Sequence, residues 1–199
     1  MGSFNLKTAR DYYCLGLWLA DGYWRSSSVG LSSTNDHLHS IFIPFLKKMC
    51  PTHIIKEHVY FPNTGEKRRL KARHVYVNSR PFTRYMMNFK KIPHLKISNK
   101  FLPAYFAGRI DGDGHVDSIH RSGVRIAYSN KEDAIRDMDL LKKLDEEPAS
   151  LYRYEQANTW VIYLRKKFLD KIKPSMARYS LKLSGKINNP VETDVTFGD

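Results

Sequence analysis

The sequence has few cysteines, no long apolar run and a shortage of acidic residues. Cys14 and Cys50 are the only cysteines in 199 residues, which excludes a disulfide framework, and no ligand pairs have zinc-finger spacing. No stretch approaches the roughly 18 apolar residues of a membrane-spanning helix. The first ten residues lack the apolar segment of a secretion signal. We therefore expect an intracellular protein whose thiols are reduced.

The shortage of acids leaves a large positive charge. The chain has 33 Lys and Arg against 20 Asp and Glu, for a formal net charge of +13 and a pI of about 9.7. A globular protein this basic usually binds a polyanion, most often nucleic acid. An anionic membrane surface would require a basic amphipathic helix, whereas the basic residues here fall mainly on predicted strands. The composition therefore favours a nucleic acid partner and no membrane.

The chain passes twice through the same order of predicted elements, αββαββα. An Asp-Gly step ends the first helix of each copy, at Asp21 and at Asp113, and these positions are 92 residues apart. A repeat of this length is a duplicated half-domain rather than a solenoid unit. We predict an α+β fold with two pseudo-symmetric halves, residues 1–92 and 93–185, each with an antiparallel sheet, and a tail over residues 186–199.

The first helix of each copy contains an internal glycine. Residues 14–22 and 106–114 are both apolar segments, with Gly16 and Gly108 at equivalent positions. Glycine inside a helix costs about 1 kcal/mol relative to alanine and is tolerated where another backbone comes close. The two helices are therefore expected to pack against each other at these glycines.

This packing would place Asp21 and Asp113 side by side at two helix C-termini. Each carboxylate would lie near the partial negative charge of its own helix and would repel the other. A divalent cation with a preference for oxygen ligands, Mg²⁺ above all, relieves this repulsion. A metal ion between two carboxylates on a basic protein suits phosphodiester hydrolysis.

A single Asp-Gly step after a helix is most often a helix stop, so the repetition carries the argument. The other interpretation, an EF-hand loop that begins at Asp111, is excluded. His115, Val116 and Ser122 stand where that loop needs an acid or amide, a glycine and a glutamate.

Both segments resemble the LAGLIDADG motif, the second more closely, and the order of elements is similar to that family over roughly residues 8–185. Two motifs in one chain resemble its monomeric homing endonuclease branch. The resemblance implies saddle-shaped sheets packed through two central motif helices. It also implies that Asp21 and Asp113 are catalytic, metal-binding acids, with the backbone of Ala20 and Gly112 contributing metal ligands.

The chain departs from the motif at two positions. Leu19 stands where the first copy would have its first acid, and Arg109 occupies an apolar position in the second copy. Neither change affects the Asp-Gly step. We expect Arg109 to face outward.

The resemblance further implies a site-specific double-strand DNA endonuclease, a hydrolase of intron-homing type. It would act as a monomer on a long, nearly asymmetric duplex and leave short 3′ overhangs. Mg²⁺ would be the cofactor, Mn²⁺ would substitute for it, and Ca²⁺ would bind without supporting cleavage. Two alternatives share the fold: an RNA maturase that assists splicing of intron RNA, and a DNA-binding regulator that does not cleave.

The resemblance also suggests supporting catalytic residues in each half. A polar residue after the second strand is Thr34 in the first half and Asn130 in the second. A basic residue near the end of each sheet, which would organise water, is Arg80 in the first half and Lys166 in the second. Ordinary capping or surface roles are the alternative for all four.

Candidate DNA-binding residues lie on the predicted strands. Lys67, Arg69, Lys71 and Arg73 alternate and would share one sheet face, either to contact DNA or as a solvated edge that blocks aggregation. The other candidates are Arg25, Tyr76, Arg121, Arg125, Arg153 and Arg165.

Overall fold

The computed structural model describes residues 4–61, 71–117 and 123–186. The first half contains α1 (Ala9–Asp21), β1 (Gly22–Arg25), β2 (Ser28–Ser33), α2 (Asp36–Met49), β3 (Lys56–Tyr60), β4 (Ala72–Asn78) and α3 (Arg80–Lys91). The second half contains α4 (Leu102–Asp113), β5 (Gly114–Val116), β6 (Val124–Tyr128), α5 (Lys131–Lys142), β7 (Ala149–Tyr154), β8 (Thr159–Leu164) and α6 (Lys166–Met176). The predicted order αββαββα therefore occurs twice.

Each half has a four-stranded antiparallel sheet with the same topology. The strand orders are β1-β2-β4-β3 and β5-β6-β8-β7, and all neighbouring strands are antiparallel. The α+β fold with two similar halves is thus confirmed. Strand β4 begins at Ala72, so Lys71 precedes it. Lys67, Arg69, Arg121 and the tail beyond residue 186 lie outside the described residues.

A capping box starts α1. The Thr8 hydroxyl accepts a hydrogen bond from the Asp11 amide at 3.3 Å, and the Asp11 carboxylate accepts one from the Thr8 amide at 2.8 Å. Lys48 of α2 lies 2.6 Å from the same carboxylate and ties α2 to the start of α1. The chain leaves the helix at Gly22, which is already extended, and continues directly into β1.

One face of each sheet packs against the helices and forms the core. In the first half this face carries Val29, Leu31, Val75 and Val77, and in the second half Val124, Ile126, Ile162 and Leu164, all fully buried. The alternation of side chains leaves the opposite face of each sheet open. Helices α1 and α4 lie at the centre, where Leu15, Leu17 and Phe106 are fully buried.

Cys14 and Cys50 are both buried and both free. Among the helices in the described ranges, none has the length and apolar character that a bilayer crossing requires.

Candidate active site

Helices α1 and α4 touch through their backbones. A Cβ added to Gly16 would lie 2.0 Å from the carbonyl oxygen of Tyr105, and one added to Gly108 would lie 2.0 Å from that of Tyr13. Neither position can therefore hold a side chain while the helices keep this separation. The two contacts are related by the 92-residue repeat, so the packing predicted from the paired glycines is present.

The C-termini of the two helices meet, and Asp21 and Asp113 are their last residues. A Cβ on Gly112 would overlap the Ala20 methyl group and would lie 3.4 Å from Asp21 Oδ2. The backbone of one motif thus lies beside the acid of the other. The Asp113 side chain keeps 35% of its surface exposed, so a ligand can reach it.

The two carboxylates influence each other electrostatically. Desolvation raises the pKa of Asp21 to about 7, and the negative charge of Asp113 contributes to this increase. Desolvation also raises the pKa of Asp113, while the positive charges of Arg109, Lys182 and Lys90 limit the rise. The pair therefore favours an additional cation or a proton.

The acids open into a cavity of about 1230 Å³ between the two halves. Both sheets, α3 and α5 contribute to its walls. Its lining includes Asp21, Trp24, Lys90, Arg109, Asp113, Tyr128, Asn130 and Arg136. Three of these side chains are cationic, and two of them, Arg109 and Arg136, are buried and paired with aspartates of α5.

Lys182 lies beside the acids and follows α6 in the chain. Its ammonium group donates hydrogen bonds to the carbonyl oxygens of Gly112 at 3.0 Å and Gly114 at 2.6 Å. The backbone amide of Lys182 donates to Asp111 at 3.0 Å, and the Ser180 hydroxyl donates to the same carboxylate at 2.6 Å. Asp111 therefore fixes the segment that positions this lysine.

Lys90 of the first half also acts on the acids, through its charge at Asp113, and it is held differently. It lies in the last turn of α3, with its ammonium 3.9 Å from the centroid of the Trp24 ring and 5.2 Å from that of Trp18. These are cation–π distances. Lys90 and Lys182 are not equivalent positions of the repeat, because α3 and α6 start 86 residues apart (Arg80 and Lys166) and only Lys90 belongs to its helix.

The predicted basic residues lie elsewhere. Arg80 and Lys166 are exposed first residues of α3 and α6, and neither lines the cavity. Lys166 instead bonds Asp170 at 3.3 Å. Arg80 and Lys166 were predicted because they follow the last strand of each sheet. The cations that approach the acids come instead from the end of α3 and from the segment after α6.

The prediction for Arg109 was wrong, because its side chain faces inward. Arg109 is 2% exposed, and its Nε donates to Asp137 of α5 at 3.0 Å. Its Nη1 lies 3.8 Å from Asp113 Oδ2. An arginine at an apolar helix position is accommodated here because a buried carboxylate pairs with it.

The pairing of Thr34 with Asn130 differs from the structural alignment. Gly22 pairs with Leu31 in the first sheet and Gly114 pairs with Ile126 in the second, so Leu31 corresponds to Ile126. Thr34 then corresponds to Ser129. The counterpart of Asn130 is Asn35, and each of these asparagines caps the following helix, with its side chain accepting a backbone N–H. Asn130 and Ser129 line the cavity, and Thr34 is exposed.

The open face of the first sheet carries stacked rings. The His74 ring lies 4.3 Å from the Tyr23 ring on one side and 4.3 Å from the Tyr60 ring on the other. Tyr76 and Arg25, two of the predicted DNA contacts, have the same strand parity and lie on this face. The histidine and Tyr60 were missed because single aromatic residues on short strands carry no distinguishing pattern.

Two other predicted DNA contacts lie on the helix side of their sheets. Arg73 alternates with the buried Val75 and Val77, and it bonds Asp36 at 2.9 Å and Glu57 at 3.1 Å. The assumption that a basic row faces the groove failed here because acidic residues lie on the helix side of this strand.

Arg153 points to the same face of β7 as Leu151, which is the helix side, and it donates a hydrogen bond to Asn158 at 2.6 Å. Arg125 is on the open face of the second sheet, opposite Tyr163. Arg165 follows β8 and pairs with Glu147 at 2.6 Å, and Lys71 is exposed just before β4.

The residues around the acids fit a divalent cation such as Mg²⁺. Within the described ranges no cluster of three or more His, Cys, Asp or Glu side chains could hold a metal ion. Mg²⁺ commonly binds through one or two carboxylates, and water and substrate phosphate complete its coordination. Two carboxylates with adjacent backbone carbonyls meet this requirement, although a cation at Gly112 would compete with Lys182 for the carbonyl oxygen.

Solved structures of known proteins have the same fold. A mesophilic variant of the homing endonuclease I-DmoI superposes with a TM-score of 0.65 at 15% identity, over 87% of this chain and 98% of that one. The homing endonuclease I-WcaI bound to its DNA recognition sequence gives 0.61 at 13% identity, over 95% and 90%. The N-terminal LAGLIDADG domain of WhiA gives 0.59 at 11% identity, over 94% and 86%.

The chain therefore has the LAGLIDADG fold. No protein-family model matches the sequence, and no curated protein sequence matches it. The likeness accordingly concerns the fold, while the assignment of activity depends on the residues of the site.

Proposed function

We propose that this chain is a monomeric, divalent-metal-dependent endonuclease that cuts both strands of a long, nearly asymmetric DNA site. The observation that supports this most directly is the meeting of Asp21 and Asp113 at two helix ends, inside a cavity lined with cations. Both acids belong to one chain, so one copy supplies the whole pair. Residues 1–92 and 93–185 would each bind one half-site.

Duplex DNA is the substrate that fits the open sheet faces. A major groove admits an antiparallel ribbon, and strand side chains on one face can reach base edges and phosphates. The net charge of +13 supplies attraction to any DNA sequence. The related structures agree with this substrate, since I-DmoI is in complexes with DNA and Mn, Ca or Mg, and I-WcaI is bound to its recognition sequence.

The side chains of the site have distinct roles in this proposal. Asp21 and Asp113, with the carbonyl oxygens of Ala20 and Gly112, would hold Mg²⁺. The bound metal would lower the pKa of water and offset charge on the leaving oxygen. Lys90 and Lys182 would stabilise the negative charge that develops on the phosphate as water attacks. We assign them the basic role first given to Arg80 and Lys166. No covalent enzyme intermediate is needed.

A DNA-binding regulator without cleavage is the second candidate, because the WhiA domain has the same fold at a TM-score of 0.59. The presence of both acids favours the nuclease. A maturase that binds intron RNA rests on the shared fold alone.

Cleavage of a randomised duplex library tests the proposal. The full chain, Asp21→Asn, Asp113→Asn and the control Glu146→Gln, which removes an exposed charge, are incubated with Mg²⁺. The wild type and the control should give defined double-strand breaks. Each aspartate variant should cut about a thousandfold more slowly, since losing a metal-binding acid removes several kcal/mol of transition-state stabilisation. Mn²⁺ should replace Mg²⁺, and Ca²⁺ should support binding without cleavage.

Binding is measured in parallel by gel mobility shift in Ca²⁺. Both aspartate variants should still bind the duplex that the wild type cuts in the library. If the wild type binds duplex DNA or structured RNA and never cuts DNA, the endonuclease assignment is wrong and a regulator or maturase replaces it.

A further inference from the structure

A buried ion pair lies behind Asp113. Arg109 of α4 is 2% exposed and Asp137 of α5 is fully buried. Taking two charges out of water costs several kcal/mol each before their attraction is counted, and apolar residues in such places are often as stable. Stability alone therefore gives no reason for this pair.

Hydrogen bonds fix the pair in one geometry. Asp137 accepts from Arg109 Nε at 3.0 Å, from the Tyr128 hydroxyl at 2.9 Å and from the Tyr105 hydroxyl at 2.6 Å. The guanidinium also lies 4.6 Å from the centroid of the Tyr128 ring. Arg109 therefore cannot change its position without breaking several buried interactions.

The other end of the guanidinium faces the candidate active site. Arg109 Nη1 lies 3.8 Å from Asp113 Oδ2, and among the described residues this buried nitrogen has no hydrogen-bond partner. A buried donor without a partner is costly, and this one lies on the cavity that holds both acids. The cation is thus fixed beside one carboxylate of the pair.

The first half has no such cation. The 92-residue repeat places Leu17 at the position of Arg109, and the helix caps Asn35 and Asn130 place Phe42 at the position of Asp137. Leu17 and Phe42 are both fully buried and apolar. The first half therefore forms the same fold without an ion pair. In the second half the pair makes the surroundings of Asp113 different from those of Asp21.

We propose that Arg109 is a resident counter-cation of Asp113 and that it makes the two acid sites unequal, with weaker divalent-cation binding at Asp113 than at Asp21. The inference rests on the proposed metal-dependent function and adds the order in which the two acids bind metal. A fixed positive charge 3.8 Å from the Asp113 carboxylate repels a divalent cation there, whereas at Asp21 the charge of Arg109 acts more weakly than that of Lys182. At limiting metal concentration the Asp21 site fills first.

Mn²⁺ binding to the protein alone measures this inequality without any cleavage. Free Mn²⁺ is followed by electron paramagnetic resonance during titration of the wild type, Asp21→Asn and Asp113→Asn. Because two ions bound side by side repel each other, the two sites are compared one at a time. Asp113→Asn, which keeps Asp21, should bind Mn²⁺ about tenfold more tightly than Asp21→Asn, the size expected for one partly screened charge near a divalent ion. Asp113→Asn should retain the tight site, and Asp21→Asn should retain only the weak one.

Removal of the ion pair is the decisive variant. Arg109→Leu alone would leave Asp137 as a buried unpaired charge, so it is combined with Asp137→Asn, which keeps the net charge and can still hydrogen-bond both tyrosines. This double variant should fold, as checked by circular dichroism, and Asp113→Asn and Asp21→Asn made in its background should bind Mn²⁺ with equal affinity. The control Arg178→Leu, which removes an exposed positive charge, should leave the gap unchanged.

The outcomes separate this inference from the function on which it rests. Equal Mn²⁺ affinities of Asp113→Asn and Asp21→Asn, or a tenfold gap between them that persists in the background of the folded double variant, would overturn the inference and leave the proposed metal site intact. Loss of the tight site in Asp113→Asn would also overturn it. If no Mn²⁺ binding depends on either acid, the metal site itself is wrong and the inference fails with it.

Discussion

The two halves of this chain share their backbone frame and differ in the side chains that support the site. Glycine and aspartate recur at a spacing of 92 residues: Gly16 and Gly108, Asp21 and Asp113. The glycines recur for a steric reason, because the facing helices leave no room for a Cβ at either position. The positions common to both halves are those where geometry or charge leaves little choice.

The lysines illustrate the difference. Lys182 is held by two backbone carbonyls, and its segment is fixed by Asp111, whereas Lys90 lies against the rings of Trp24 and Trp18. The counterpart of Asp111 in the first half is Leu19, which cannot accept hydrogen bonds. One charge is thus positioned by hydrogen bonds in one half and by aromatic packing in the other.

The largest expected effect tests the shared frame. Gly16→Ala and Gly108→Ala each place a methyl group 2.0 Å from a carbonyl oxygen of the facing helix, so the helices must separate. We expect each to lower the free energy of unfolding by about 3 kcal/mol or more and by similar amounts, as measured by urea denaturation. The exposed control Lys47→Ala should change it by less than about 0.5 kcal/mol. A large cost at only one glycine would contradict the equivalence of the halves.

The frame and the two acids were predictable because their signals are local and repeated. An internal helix glycine followed by Asp-Gly can be recognised without knowing any partner, and alternating strands give the sheets. Arg109 was misplaced because its partner Asp137 lies 28 residues away on another helix. Lys90 and Lys182 were missed because only tertiary packing brings the end of α3 and the segment after α6 to the acids.

A second prediction tests how Lys182 is positioned. Asp111→Asn replaces an acceptor of four hydrogen bonds, from Tyr13, Ser180, Leu181 and Lys182, with a side chain that has one acceptor oxygen. We expect a loss of about 1.5 to 3 kcal/mol in the free energy of unfolding. Hydrogen exchange should become faster at residues 180–183 and stay unchanged in α3, which carries Lys90.

Within the proposed function, the same variant should impair one strand cut more than the other. The displaced Lys182 would no longer stabilise charge at its own site, while Lys90 keeps its place, so nicked duplex should accumulate before linear product. Ser180→Ala, which removes a single donor to Asp111, should have a smaller effect on both measurements. Equal slowing of both cuts would indicate that the two lysines do not serve separate sites.

The smallest expected effect concerns a histidine present only in the first half. His39 is fully buried on α2, and counting from the caps Asn35 and Asn130 places Ala134 at its position in the second half. Its Nε2 donates to the Arg73 carbonyl at 2.9 Å, and its Nδ1 accepts from Arg73 Nε at 3.4 Å. Burial and the charge of Arg73 lower the pKa of His39, while the Asp36 carboxylate opposes this.

His39 is therefore neutral in the folded chain, and the unfolded chain takes up a proton more readily as pH falls below about 6.5. Its contribution to stability is complete above that pH and is lost as pH falls toward the lowered pKa, with a slope of at most about 1.4 kcal/mol per pH unit. Urea denaturation between about pH 7.5 and 5.5 should give a shallower pH dependence for His39→Gln than for the wild type. Asp21 titrates in both proteins, so the difference between them isolates the imidazole. The exposed control His37→Gln, on the same helix, should match the wild type, and an unchanged slope in His39→Gln would mean that His39 is not the titrating group.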